Sequence, residues 1–372
     1  MRKIASRSVL ACAALWLAAA PARADHIEYS VATFNDNAEN KVASTSFSLL
    51  KTLFEKTRVM LDIELDQTTV PPLLDGTTGA SRPARQSKSA FLKNRGQLIA
   101  GLQRDLFSAT EVSANLYFSQ EVDYRSESVL ASLAQSFAQK NFTVTLTGQY
   151  TLDSVGEIRS DGSLLNHSKE IHKGNLQVTQ LLSPEAYVRV GLDGERDHGF
   201  LSDPYRTTEV GTDTLPESVP SMRYRAAAWL EYSKFLTSLN ASWSAEYRYA
   251  WDDWDLAAHE VWLKLNKYIS PDWIFSAQYR YAIEGGIEFG DYGLENPGRY
   301  FAPGDYKLQG GEYHMVGIGS TLYLRAFCRN HPSWDFLKRS SVGFKYARYF
   351  NGDSQKSKFS GDMTETRLRF DF

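Results

Sequence analysis

The segment Asp75-Gly76-Thr77-Thr78-Gly79-Ala80-Ser81 ends on a hydroxyl nucleophile, Ser81, behind two small residues, Gly79 and Ala80, with Thr78 and the Asp75 carboxylate upstream. Small neighbours let an enzyme approach the backbone closely, so residue types and spacing suit Ser81 as the acceptor of a covalent group. A glycine-containing turn accounts for the same residues. Other chemistry is sparse. The seven histidines form neither His-x-Glu-x-x-His nor His-x-His, and Gly-x-Ser-x-Gly does not occur, so neither zinc nor elbow-serine chemistry is expected. His167-Ser168 and His331-Pro332-Ser333 set a histidine near a serine, the minimum of a hydrolase, with nothing around either pair to complete one. The run Asp252-Asp253-Trp254-Asp255 is acidic enough for divalent cations, and a solvated loop explains it as well.

What must position these residues begins with an export signal. Arg2, Lys3 and Arg7 precede an apolar run, Val9 to Ala20, and Ala22-Arg23-Ala24 is a small-x-small cleavage site, so 1–24 is expected to be removed, leaving 25–372. The run is too short for a transmembrane helix, and Cys12 lacks the preceding hydrophobic segment of a lipoprotein box. Cleavage leaves 37 basic against 44 acidic residues, a formal charge of about −7, which argues against a nucleic-acid partner. Only Cys328 then remains, so an intramolecular disulfide is excluded.

The remainder alternates. Val59, Leu61, Ile63 and Leu65 interleave with Met60, Asp62, Glu64 and Asp66. Leu239, Ala241, Trp243, Ala245, Tyr247 and Tyr249 interleave with Asn240, Ser242, Ser244, Glu246 and Arg248. The final stretch sets Leu368, Phe370 and Phe372 against Glu365, Arg367, Arg369 and Asp371. A period of two with one charged face predicts strands. A strand over Val112 to Tyr124 is expected to turn Glu111, Ser113, Asn115, Tyr117, Ser119, Glu121, Asp123 and Arg125 to one side.

Turn lengths sort by parity. Short connections at Gln139, Ser183, Leu236 and Ser270 fall on one side, while 67–95, 155–170, 195–221 and 285–312 fall on the other. That is the pattern of an all-β antiparallel transmembrane β-barrel with short periplasmic turns and long outer loops, of about 16 strands (range 14 to 18). The 48 aromatics suffice for two interfacial girdles. Phe327 to Ser340 is the awkward connection, long where a tight inner turn is expected.

The inner faces then carry Asp62, Glu64 and Asp66 against Arg189, Arg223, Arg225, Arg248, Arg280, Arg367 and Arg369. Separated acidic and basic walls would make a selective pore, and cross-strand ion pairs would stiffen a filled barrel. The Gly-rich 285–311 segment fits an external loop or an inward constriction.

Three resemblances add expectations. The last strand, ending in Phe370-Asp371-Phe372, resembles the terminal strand of Gram-negative outer-membrane barrels, which implies that Phe370 and Phe372 are read by the barrel assembly machinery. The Thr78-Gly79-Ala80-Ser81 loop resembles that of an uncharacterised family of such barrels, which implies an outer membrane with its lipid and lipopolysaccharide as surroundings, and a porin-like channel or envelope scaffold without catalytic activity. Asp75 to Ser81 also resembles the Asp-x-x-Ser/Thr-Gly-Ala-Thr/Ser site at which a periplasmic flavin transferase esterifies FMN. That implies Ser81 as acceptor, Asp75, Thr78, Gly79 and Ala80 as recognition residues, and a covalently flavinylated barrel exchanging electrons with redox proteins of the envelope. Ser stands where Thr is commoner, and the loop lies outside while the transferase is periplasmic. The His-Ser pairs and the aspartate run resemble features of barrel lipases and proteases without their surrounding motifs, a barrel hydrolase being the remaining alternative.

Overall fold

The computed structural model describes residues 25–37, 39–70, 91–158, 163–210, 213–286, 310–328, 337–352 and 359–372, with residues 301, 303, 308 and 334 besides. Its first half runs β1 (His26–Asp36), β2 (Lys41–Phe54), β3 (Thr57–Val70), β4 (Phe91–Phe107), β5 (Thr110–Gln120), β6 (Tyr124–Phe137), β7 (Phe142–Ile158), β8 (Leu164–Ser183) and β9 (Ala186–Gly199). A small hairpin, β10 (Thr207–Val210) and β11 (Asp213–Pro216), follows. The second half runs β12 (Met222–Leu236), β13 (Ala241–Asp252), β14 (Ala257–Ser270), β15 (Trp273–Glu284), β16 (Gly311–Tyr323), β17 (Ser341–Asn351) and β18 (Ser360–Asp371).

All but β10 and β11 form one closed antiparallel barrel of sixteen strands, each beside its sequence neighbour, with β9 next to β12. Closure is made by β1 against β18, in register from His26 opposite Asp371 to Asp36 opposite Gly361. The sixteen-strand expectation therefore holds, and the connections 71–90, 200–221 and 285–310 fall on the side expected of long outer loops. Closure leaves no free edge, so every ladder hydrogen bond is satisfied between strands, as a lipid environment demands.

The apolar side chains are on the outside. Leu65, Leu116 and Leu146 keep 60%, 61% and 56% of their surface exposed, each at the parity opposite its strand's charged residues. Among the described residues the buried hydrophobics are few and mostly small: Ala186, Ala227, Ala241, Trp254, Met315, Cys328 and Ala347. A water-soluble fold this size could not leave so much leucine uncovered. No described helix is long and apolar enough to cross a membrane, which says nothing of crossing by strands. Spanning takes about 9–11 residues of tilted strand. At 17 and 20 residues, β7 and β8 project well past that, so the expected 155–170 loop is mostly strand.

Three other details differ from expectation. The strand expected over Val112 to Tyr124 stops at Gln120, and Glu121 N–H donates to Tyr124 C=O (2.7 Å) across a tight outer turn. The turn changes which parity faces inward, so Arg125 points outward, pairing with Glu127 and lying over the Phe118 ring at 5.4 Å. The 195–221 segment holds the β10–β11 hairpin, too short for an alternation signal. The connection between β16 and β17 holds a helical turn, Arg325–Cys328, closed by Leu324 N–H to Ser340 C=O (2.8 Å), with Arg325 paired to Asp272 and donating to Pro271 C=O (2.5 Å) on the preceding inner turn. The described part of this inner connection is folded, and β16 pairs directly with β17 in the ring.

Candidate functional site

Strand parity places Asp62, Glu64 and Asp66 of β3 on the inner face, with Ser48 donating to Asp62 and Arg95 donating to Asp66 at 2.8 and 2.5 Å. The arginines share that surface, and each meets a carboxylate. Arg189 pairs with Glu231, Arg223 with Asp252, Arg248 with Asp193 (2.6 Å) and Arg280 with Glu260 (2.6 Å). Arg225 bridges Glu195 and Asp197, the latter at 2.5 Å, while Lys173 reaches Glu195 from the other side at 2.9 Å. Near the seam, Arg367 reaches Glu28 (3.2 Å) and Glu365 (2.6 Å), and Arg369 reaches Asp371 (2.9 Å). These groups form cross-strand and same-strand pairs, not an acidic wall facing a basic one.

Burial separates a wet lumen from a packed one. Arg225, Arg280, Arg367 and Arg369 keep 43%, 46%, 40% and 43% of their side chains accessible. A lumen filled with side chains would bury them, whereas sixteen strands leave an aqueous interior. One arc is rich in hydroxyls between its charged ends: pairs Ser113–Ser132 (2.7 Å), Ser128–Thr151 (2.7 Å) and Ser136–Thr143 (2.9 Å) line β5 to β7. Two tryptophans face inward, and the signal that sets them apart from the girdle is their parity with charged residues of the same strand, Trp229 with Arg225 and Glu231, Trp262 with Glu260 and Lys264. Trp229 lies flat against Gly191, where a Cβ would collide with the ring, and Trp262 lies under the Lys264 ammonium, 3.3 Å from its ring centroid.

The outer rim is pinned by Trp254. It is 5% exposed, packs with Leu201, Val219, Leu256 and Leu308, donates from Nε1 to Met222 C=O (3.1 Å), and has the Arg223 guanidinium 4.3 Å above its ring. The surrounding aspartates are structural. Asp252 accepts from Trp254 N–H (3.0 Å) and Leu256 N–H (2.9 Å), and Asp253 accepts from Tyr224 N–H (2.8 Å). Asp252 and Asp253 thus cap a turn around a buried ring, while Asp253 and Asp255 stay exposed, as a solvated outer turn requires.

The inner rim carries the seam. Phe372 N–H donates to Asp25 C=O (3.0 Å), and the Asp25 carboxylate accepts from Thr52 N–H (2.6 Å) and pairs with Lys51 (2.8 Å), whose ammonium lies 5.0 Å from the Phe372 ring centroid. Burial pushes the Asp25 carboxyl up, but the Lys51 and Thr52 hydrogen bonds outweigh it and hold its pKa below the usual carboxylate range. Phe370 lies opposite Ile27 on the outer face.

The hydrolase reading gains no geometry. His167 stacks on Phe200 (4.0 Å between centroids) and contacts Glu157 (3.3 Å) on the inner face, and Ser168, next along the strand, points the other way. His331 and Ser333, the Asp75 to Ser81 motif and the leader 1–24 lie outside the described residues, as does most of 285–311. Among the described residues no three His, Cys, Asp or Glu side chains are placed to hold a metal ion.

The chain is similar in structure to several barrels: the CymD monoaromatic hydrocarbon channel (10% identity, TM-score 0.46, 95% of this chain and 89% of that one), OccK2 (OpdF) of Pseudomonas aeruginosa (10%, 0.46, 94% and 98%) and the siderophore receptor PirA of Acinetobacter baumannii (11%, 0.49, 90% and 54%). The chain thus spans about half the length of the receptor and nearly all of the two others. At such identities the likeness concerns barrel architecture alone, and no cargo is carried over. No curated protein matches its sequence. A family model described as "Protein of unknown function (DUF3570)" matches residues 74–325, about two-thirds of the 372, and the chain belongs to that family.

Proposed function

We propose that this chain is an outer-membrane channel of a Gram-negative bacterium, conducting small solutes through a wet lumen without catalysis of its own. The observation that carries this reading is the inversion of the fold: leucine outside, half-accessible ion pairs inside, on a barrel with no edge. Lipid and lipopolysaccharide are its surroundings, and the assembly machinery handles it through the strand ending in Phe370 and Phe372. Because the inner charges neutralise one another within hydrogen-bonding distance, the channel is only mildly selective between ions. Recording of the purified barrel in planar bilayers tests this. Steps of conductance with weak selectivity are expected, and a silent membrane would leave the scaffold reading.

A second reading rests on the Asp75 to Ser81 motif, which falls within the residues matched to the family and in the connection between β3 and β4. In it, a periplasmic flavin transferase attaches FMN to Ser81, with Asp75, Thr78, Gly79 and Ala80 recognised by that enzyme, and redox proteins of the envelope are partners. Modification before membrane insertion reconciles an outer loop with a periplasmic enzyme.

A further inference from the structure

Among the outward polar side chains of the described residues, one row crosses four strands. Four outward residues lie in register across β7, β8, β9 and β12: Tyr150 opposite His172, His172 opposite Arg196, and Arg196 opposite Tyr224. The Tyr150 and His172 rings are 4.9 Å apart, and the Arg196 guanidinium lies 5.9 Å from the Tyr224 ring centroid. His172, Arg196 and Tyr224 of this row line an open depression of about 660 Å³ together with Gly174, Gly194, Ala226, Trp251 and Asp253. A side chain added at Gly174 or Gly194 would meet nothing within 4 Å, so the depression is the space those residues leave empty. One row deeper, Leu146, Leu176 and Leu192 continue the apolar wall.

The charges decide the occupant. Glu170 is 4.0 Å from His172, and Asp253 accepts the Tyr224 backbone N–H. Arg196 pairs with no carboxylate among the described residues, although it faces outward beside His172, Tyr224 and His198. An uncompensated arginine facing lipid is costly unless it meets headgroups. Arg196 lies three residues short of the end of β9, about 10 Å along the strand, at the level where an outer-leaflet headgroup would sit. The cation is thus toward the surface and the empty apolar space toward the bilayer centre, which is the polarity of an anionic amphiphile.

We infer that this depression is a binding site for a phosphate-bearing lipid of the outer leaflet, its phosphate on Arg196 and an acyl chain over Gly174 and Gly194. The inference rests on the barrel lying in a membrane. A guanidinium supplies paired donors to phosphate, and the flanking tyrosines and Trp251 suit the interface.

Native mass spectrometry of the detergent-purified barrel with added lipid A tests it, against dephosphorylated lipid A and against inorganic phosphate as competitor. Lipid A should be retained over its dephosphorylated form, inorganic phosphate should not displace it, and Arg196→Gln should lower retention about fivefold. Gly194→Leu, which fills the space, should lower retention of both forms. Arg125→Gln, at an outward arginine already paired with Glu127, should change nothing. Equal retention of the two lipid forms, displacement by inorganic phosphate, or an unaltered Arg196→Gln protein would overturn the site. Each variant is checked for a gel shift between unboiled and boiled samples. Absence of that shift in the parent protein would instead overturn the membrane barrel itself.

Discussion

Asp25 and Phe372 meet at the inner rim: the backbone N–H of the last residue donates to the carbonyl of the first described one, at 3.0 Å. The contact extends the β1–β18 ladder by one step, and the Asp25–Lys51 pair beneath the Phe372 ring locks it from the side. The two ends of the strand sequence therefore close the barrel together, with a charge-assisted latch where the last ladder bond would otherwise fray.

Asp25→Asn should weaken that latch. Lys51 and Asp25 keep only 8% and 3% of their side chains accessible, so removing the carboxylate leaves a covered ammonium unpaired, a loss on the order of 3 kcal/mol. Because the folded pKa of Asp25 is depressed, its contribution is complete above the unfolded value of about 3.9 and is lost as pH falls through the folded value. Heat-modification midpoints in detergent should differ between parent and variant by a constant amount from neutral pH down to about 4, and converge below it. A difference that grew on acidification would contradict the assignment.

Phe372→Glu removes the ring over Lys51 and sets a second carboxylate to compete with Asp25 for that ammonium. Quantitation of the protein in outer-membrane fractions should show a marked fall, with Phe370→Glu following it. Unchanged levels would mean that neither the seam nor the terminal signal depends on these rings.

Arg225→Gln should make the channel prefer cations. Arg225 holds Glu195 and Asp197 together, and without it Lys173 alone faces two carboxylates projecting into the lumen. The reversal potential across a salt gradient reports the change directly. An unchanged reversal potential would show that these side chains are not in the conducting path.

Trp254→Ala should loosen the outer rim while leaving the barrel closed. The ring is the centre of the loop core, and truncating a buried tryptophan costs about 3–5 kcal/mol. External protease should then cut within 200–221 faster in the variant, with the gel shift on boiling retained. Equal cutting rates would mean that the loop is held by the Arg206 pairs with Asp203 and Glu217 instead.

Ser81→Ala separates the two functional readings. Intact mass and in-gel flavin fluorescence of protein made with an active flavin transferase should show one FMN adduct in the parent and none in the variant. An unmodified parent mass would leave the channel reading alone.

Alternation and loop parity made the barrel legible before any coordinates. A strand between lipid and water must sort its side chains by a period of two, and that period is written in Val59 to Asp66 and Thr364 to Phe372 without help from distant residues. Tertiary structure decided which charges meet. Arg248 and Asp193 are 55 positions apart, and Arg225 finds Asp197 across 28, because β12 skips the small hairpin to pair with β9. Register across that skip set the ion pairs and brought His172, Arg196 and Tyr224 into one outward row. Elsewhere in the ring Arg125 faces outward because a tight turn after Gln120 reversed the parity that a continuous strand would have kept. Local pattern tells which face a side chain takes within an unbroken strand. Only the pairing of strands distant in sequence tells which partner it finds there, because that partner is chosen by closure of the whole ring.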